Sequence, residues 1–135
     1  MKESDIRKQL SNKPMTIGPL TVSAEDDPLM VRVSWNSLSR SFLLEISSRW
    51  TPKILREAAY RIKMIAAEKG KDPLLLVPYL SEEALAELDR IGVSGIDLCG
   101  NATIQVPGKL SVYRSGAPNL FTTSAPIKNI YRNNT

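Results

Sequence analysis

The sequence of 135 residues contains no histidine. This absence excludes the Ser/His and Cys/His nucleophile pairs, zinc sites built with histidine, and acid–base catalysis by an imidazole. Any catalysis would therefore depend on carboxylates, on lysines, or on a hard metal such as Mg²⁺ held by carboxylates.

Cysteine is almost as scarce, because Cys99 is the only one in the sequence. A single thiol forms no internal disulfide, which fits a reducing cytoplasm. No apolar run approaches the roughly 18–20 residues of a membrane-spanning helix. The charged N-terminus has no apolar secretory segment behind it. We therefore expect a cytoplasmic protein with no membrane partner.

Acidic residues are missing from the last 38 positions, since none follows Asp97. The stretch from Arg49 to Lys71 carries seven basic residues against two glutamates, in a chain of net charge +4. Such clustering is typical of a surface that binds a polyanion. The alternative is a solvated face that binds nothing specific.

The length and the 42% apolar content predict one globular domain of α/β class. Apolar periodicity and turn residues define its segments. They are a short polar helix or a frayed end at 1–13, strands at 15–22, 30–38 and 41–48, a helix capped by Thr51 and ending at Lys69, a strand at 73–80, a helix from its Ser81 cap to Gly92, a strand at 95–100, and a hairpin of 102–106 with 109–113. Two strand–helix–strand crossovers imply parallel neighbours in the middle of a mixed sheet.

An acidic residue lies near the end of the third predicted strand, just before the long helix. It is Glu45, in the passage Ser41-Phe-Leu-Leu-Glu-Ile-Ser-Ser-Arg-Trp-Thr-Pro-Lys53. The passage resembles the signature of PD-(D/E)xK nucleases, in which an acid on one strand is followed by acid-x-Lys on the next. The resemblance implies a restriction-endonuclease-like fold, a mixed sheet flanked by helices, here with a C-terminal hairpin. It also implies that Glu45 is a catalytic, metal-binding acid.

The match departs from the family pattern at two of its three catalytic positions. Ser47 stands where the lysine is expected, and the nearest acid to the first position is Asp27, just before the strand at 30–38. Lys53 or Arg56, at the start of the following helix, is the candidate to supply the missing positive charge. The alternative for the strand glutamate is a hydrogen bond to a neighbour or exposure to water.

The second half of the chain carries a more specific resemblance. The passages Val77-Pro-Tyr-Leu-Ser-Glu-Glu83 and Gly92-Val-Ser-Gly-Ile-Asp-Leu-Cys-Gly-Asn101 resemble a group of bacterial proteins whose nuclease-like domain precedes a winged-helix DNA-binding domain. The resemblance implies a nuclease-like domain over residues 1–114. Residues 115–135 would then be an extended segment leading toward a winged helix that is absent here.

Asp97 is the carboxylate of greatest interest in this second half, because it lies in an otherwise apolar strand. One interpretation makes it a catalytic residue and metal ligand at the carboxyl end of a sheet strand, where ligands bind in open α/β sheets. The alternative is a structural role, in which it accepts backbone N–H bonds from the Gly100-Asn101 turn.

These features favour a DNA-binding module on a nuclease-like scaffold with impaired catalysis. The predicted phosphate contacts are Lys53, Arg56, Lys63, Arg114, Lys128 and Arg132. Tyr60 and Tyr113 are candidates for base stacking.

Two alternatives stay open. One is an active nuclease that holds Mg²⁺ or Mn²⁺ on Glu45, Asp97 and Asp27, with Lys53 as the displaced cation. The other is a protein-interaction or oligomerisation domain, such as a homodimer, that uses the hairpin and the C-terminal segment.

Overall fold

The computed structural model describes residues 2–106, 108 and 110–121. This part of the chain forms an α/β structure with three helices and eight strands. In chain order they are α1 (Glu3–Asn12), β1 (Met15–Ile17), β2 (Leu20–Ala24), β3 (Met30–Trp35), β4 (Leu38–Ile46), α2 (Pro52–Lys69), β5 (Asp72–Val77), α3 (Glu82–Ile91), β6 (Ser94–Asp97), β7 (Ala102–Val106) and β8 (Leu110–Arg114). None of these helices is long and apolar enough to cross a membrane.

The described strands form one mixed sheet in which they lie side by side in chain order. β1 to β4 are an antiparallel meander, β4 to β6 are parallel, and β7 and β8 return antiparallel. The parallel pairs arise because α2 and α3 each return the chain to the starting edge of the sheet before the next strand begins. The predicted crossovers and the C-terminal hairpin are thus confirmed.

Each face of the sheet buries its own apolar core. Alternation along β4 sends Phe42 and Leu44 to the face covered by α1, and Leu43 to the face covered by α2 and α3. β5 is covered on both sides, as its continuous apolar run predicts, since Leu74 and Leu75 belong to different cores and are both fully buried.

The sheet is curled, so that its two ends approach each other. Gly18, in the turn between β1 and β2, lies against Arg114 at the end of β8: a Cβ placed on Gly18 would be 2.7 Å from the Arg114 Nη1. The core on the α1 side accordingly includes residues from β1 through β7, among them Ile17 and Ile104.

The first half of the sheet corrects two predicted strands. Residues 15–22 form parts of β1 and β2 instead of one strand, because Gly18 has a φ of 56° and turns the chain back. β4 begins at Leu38, three residues earlier than predicted, because Asn36 has a φ of 52° and Trp35 pairs directly with Leu38. The meander therefore has four strands where the sequence predicted three.

The two crossover helices, α2 and α3, begin and end where the sequence predicts, but one predicted capping hydrogen bond is not made. α2 begins at Pro52 and ends before Gly70, and the Ser81 hydroxyl accepts a hydrogen bond from Ala84 N at the start of α3. The Thr51 hydroxyl makes no capping hydrogen bond. Of the two predicted start signals, Pro52 at the first helical position is therefore the one that favours the start of α2.

Candidate functional site

A groove opens at the edge of the sheet where the parallel strands β4 and β5 end. Its walls are the first turns of α2 and α3 and the connections leading into them, and its volume is about 690 Å³. Crevices outside the carboxyl ends of parallel strands are the usual ligand sites of open α/β sheets, and pockets for small ligands span about 300–1,000 Å³. We call this the helix-start groove.

The two walls of the helix-start groove carry opposite charges. Arg49 and Arg56 line it on the α2 side, and Glu83 and Glu87 line it on the α3 side. Glu87 accepts a hydrogen bond from Arg90 within α3. Within the described part of the chain, the side chains of the two arginines and of Glu83 have no hydrogen-bond or ion-pair partner. The groove thus offers guanidinium groups on one wall and a carboxylate on the other.

Two aromatic side chains, Trp50 and Tyr79, also line the helix-start groove, and both are half-buried. The Trp50 ring packs against Phe121, with a centroid separation of 6.4 Å and an interplanar angle of 57°. This tilted contact restrains the indole on one side, and the ring also lines the groove.

The motif-like acid on β4 is paired with a cation on α2. Glu45 Oε2 accepts hydrogen bonds from Arg61 Nη2 at 2.6 Å and from Arg61 Nε at 3.2 Å. The hydrogen bond to Glu45 raises the pKa of the Arg61 guanidinium. Glu45 therefore bonds to a neighbour, as its second interpretation expects, and the adjacent cation is Arg61 instead of Lys53 or Arg56.

Ser47, which stands at the lysine position of the motif, hydrogen-bonds to the backbone of the turn that follows β4. Its hydroxyl donates to Arg49 O at 2.8 Å and accepts from Arg49 N at 3.3 Å. These bonds shape the turn between β4 and α2, so Ser47 positions the loop that carries Arg49 into the helix-start groove.

Asp97 is fully buried and organises the loop that follows β6. Its Oδ1 accepts from the backbone N–H groups of Cys99, Gly100 and Asn101 at 2.8–2.9 Å. Its Oδ2 accepts from Leu80 N at 2.8 Å and from Asn101 Nδ2 at 2.7 Å. Asp97 thus has the backbone contacts of its structural interpretation, and Leu80 ties the loop before α3 to the same carboxylate.

A Mg²⁺ or Mn²⁺ ion would need several carboxylate oxygens in one place. Asp27 lies in the connection between β2 and β3, where it accepts from Leu29 N at 2.9 Å. Glu45 is bonded to Arg61, and Asp97 to Leu80 and the β6–β7 loop. No three acidic or cysteine side chains of the described residues form a group that could hold a metal ion. This donor set does not fit a divalent ion.

The predicted phosphate contacts on α2 differ in their surroundings. Lys53 and Arg56 are exposed in the first turns of the helix, and Arg56 lines the groove. Lys63 lies farther along, where its Nζ donates to Ile91 O at 2.6 Å and so caps the end of α3. The structure thus places Arg56 in the groove wall, leaves Lys53 exposed in the first turn of α2 outside the groove lining, and gives Lys63 a structural contact.

The other predicted phosphate contacts lie away from this edge or outside the described residues. Arg114 is exposed at the end of β8, where it packs over the Gly18 turn. Lys128 and Arg132 fall outside the residues that the structure describes, so they stay predictions.

The segment after β8 folds back onto the loop that Asp97 orders. Asn101 Oδ1 accepts from Ala117 N at 3.0 Å, and Asn101 Nδ2 donates to Ala117 O at 3.3 Å. Leu120 N donates to the half-buried Cys99 Sγ at 3.5 Å, and burial raises the pKa of that thiol. Up to Phe121, this predicted extended segment is therefore attached to the domain.

Sequence reasoning missed several residues that the structure places at the site. Trp50, Tyr79 and Glu83 enter the groove from three separate segments, and Arg61 reaches Glu45 from the middle of α2. The available signal was the pair of helix starts that follow parallel strands, since both must lie at the same edge of the sheet.

Comparisons with known proteins give no further assignment. No family model matches the chain, and neither the curated proteins nor the solved structures contain a significant match.

Proposed function

We propose that this chain is a DNA-binding module on a restriction-endonuclease-like scaffold whose catalytic function is impaired. The observation that carries the proposal is the grouping of Arg49 and Arg56 with Trp50 and Tyr79 at the carboxyl edge of the parallel strands. Lys53 is exposed in the first turn of α2, which begins at the same edge. Cationic side chains supply contacts to phosphates, and aromatic rings supply stacking for bases.

The state of the motif residues supports binding over cleavage. Glu45 is held by Arg61, and Ser47 bonds only to the backbone of the following turn. Neither arrangement leaves the metal-binding carboxylate and free lysine that the family signature uses. The element order agrees with this scaffold, since the acid-bearing β4 leads directly into α2.

The test measures binding of fluorescein-labelled DNA by anisotropy, in EDTA and across a salt series. We expect affinity to fall steeply as salt rises, with a log–log slope of about 0.7 per phosphate contact for single strands and 0.9 for duplex DNA. Replacing Lys53 and Arg56 together by alanine removes two candidate contacts and is expected to reduce the slope by roughly 1.4–1.8.

The matched control replaces Lys69 and Lys71 by alanine. These exposed lysines lie at and beyond the opposite end of α2, so the net charge changes by the same amount away from the groove. Equal weakening by both double variants would show that binding follows net charge alone and would contradict the proposed site.

The nuclease alternative has one observation in its favour, because Arg61 supplies a positive charge beside Glu45. Incubating labelled DNA with Mn²⁺ tests it. Cleavage by the wild-type chain that Glu45→Ala abolishes would replace the present proposal. If no nucleic acid binds in a salt-dependent manner and none is cleaved, the protein-interaction alternative is the one that survives.

A further inference from the structure

The opposite charges of the helix-start groove indicate what kind of ligand it binds, because a carboxylate in the groove does not favour a ligand that presents only phosphates. Glu83 faces Arg49 and Arg56 across the groove and has no partner among the described residues. Near a phosphate chain, a carboxylate weakens binding through like-charge repulsion. A ligand that benefits from Glu83 must therefore present a hydrogen-bond donor on the side opposite its negative charge.

A nucleotide has this polarity when its base carries an exocyclic amino group. Cytosine N4 and adenine N6 donate hydrogen bonds, whereas uracil and thymine carry a carbonyl acceptor at the corresponding position. A carboxylate accepts only, so it distinguishes these two exocyclic groups. With the phosphate on the arginine wall, the amino edge of the base would lie toward Glu83.

The aromatic residues between the walls restrict the base to an unpaired one. Trp50 and Tyr79 offer ring surface to the groove, and a base can stack on them only after it leaves a duplex. The Trp50–Phe121 contact holds the indole in place before any ligand arrives, which reduces the ordering cost of binding.

We propose that the helix-start groove binds one unpaired nucleotide of a single strand, with Glu83 selecting a base that bears an exocyclic amino group. The inference rests on the proposed function and deepens it by naming the class of nucleic acid. Arg49 and Arg56 contact the phosphate, Trp50 stacks on the base, and Glu83 accepts the amino hydrogen.

The experiment uses the whole chain and labelled ten-nucleotide strands of deoxycytidine or deoxyuridine, with a hairpin duplex as the third probe. These two bases differ only along the edge that Glu83 would read. In EDTA at fixed ionic strength and pH 7.5, we expect the deoxycytidine strand to bind at least roughly fivefold more tightly than the deoxyuridine strand, the low end of discrimination by one good base contact. The duplex should bind more weakly than the deoxycytidine strand.

The variants separate the roles of charge and recognition. Glu83→Ala should strengthen binding of deoxyuridine and bring the ratio of the two affinities to about one, because repulsion and selection vanish together. Glu82→Ala is the matched control, since Glu82 is exposed in the same helical turn but does not line the groove. It removes the same charge and should preserve the ratio.

The stacking role is tested with two replacements of Trp50. Trp50→Ala should weaken binding of the deoxycytidine strand by roughly thirtyfold, the middle of the range for one base–aromatic contact, whereas Trp50→Phe should retain most of the affinity. Equal affinities for the two strands, unaffected by Trp50→Ala, would overturn the inference while leaving salt-dependent binding and the proposed function intact. A complete lack of salt-dependent binding would instead remove the proposed function.

Discussion

At the scale of single residues, Asp97 determines the path of the chain at one edge of the groove. Its five accepted hydrogen bonds come from the β6–β7 loop and from Leu80, two residues before the start of α3. A carboxylate is the one side chain of this size that only accepts, so each of its oxygens can face several N–H groups at once.

Replacing Asp97 by asparagine should therefore lower the free energy of unfolding by about 3 kcal/mol. The new NH₂ group would face N–H donors in a fully buried position and leave at least one of them unsatisfied. Urea unfolding followed by circular dichroism measures the loss. Asp26→Asn, at an exposed position, is the control and should change stability by less than about 0.5 kcal/mol. A loss at Asp97 as small as that of the control would contradict this role.

Cys99 provides a prediction with a defined pH dependence. Burial raises the pKa of its thiol, so less thiolate is present at pH 8 than in an unfolded chain. We expect iodoacetamide to react more slowly with the folded protein than with the protein in urea, and the rate to rise only at higher pH. Because the folded state holds the thiol proton more tightly, the free energy of unfolding should fall as the pH rises past the ordinary pKa of a cysteine. Equal rates in both states would contradict the prediction.

At the scale of elements, the close contact of α3 with β6 depends on Gly95, a residue of β6 that has no side chain. A Cβ on Gly95 would come 2.3 Å from Leu88 Cδ1 and 3.4 Å from Leu80 Cδ1. A side chain at this position would have to displace the buried Leu88 side chain, so glycine lets α3 lie close to the strand. This contact helps to fix the α3 wall of the helix-start groove relative to the sheet.

Gly95→Ala should lower the free energy of unfolding by about 1–3 kcal/mol, the usual cost of overpacking a buried contact. Leu88→Ala should also destabilise the protein, by about 2–5 kcal/mol, because it creates a cavity. The double variant should lose less than the sum, since the added methyl enters the vacated space. Strict additivity in thermal or urea unfolding would show that the two positions do not compete for one volume.

The same scale shows what sequence patterns can predict. α2 follows local signals, namely Pro52 at a helix start and Gly70 after a helix end, so its bounds were predicted well. The continuous run of leucines located β5, but the strand spans Asp72–Val77 and ends three residues before the predicted limit at 80. β1 and β2 were merged because Gly18 was not recognised as a turn within an otherwise strand-like run. Local patterns fail where a single residue decides between a strand and a tight turn.

The candidate site was less predictable than the fold because its residues are distant in sequence. Lys53 and Arg56 were identified from the charge on one helix; Arg56 lines the site, and Lys53 is exposed in the first turn of the same helix. Tyr79 and Glu83 belong to another crossover, and nothing in their local sequence shows which segment they face. Only the parallel pairing of β4 with β5 brings the two helix starts together.

At the scale of the whole molecule, ligand binding should appear as a change in thermal stability. A ligand that binds only the folded state stabilises it by about 2.7 kcal/mol at one hundred times its dissociation constant. For a domain of this size, that corresponds to a rise in Tm on the order of 10 °C. We expect a single-stranded oligodeoxycytidine at that excess to produce such a rise in EDTA, and the rise to shrink as salt is added.

Mn²⁺ without DNA should leave Tm unchanged, because Asp27, Glu45 and Asp97 are engaged separately with other groups. A rise in Tm with Mn²⁺ that is lost in Glu45→Gln would instead indicate a metal site on β4 and would favour the nuclease alternative.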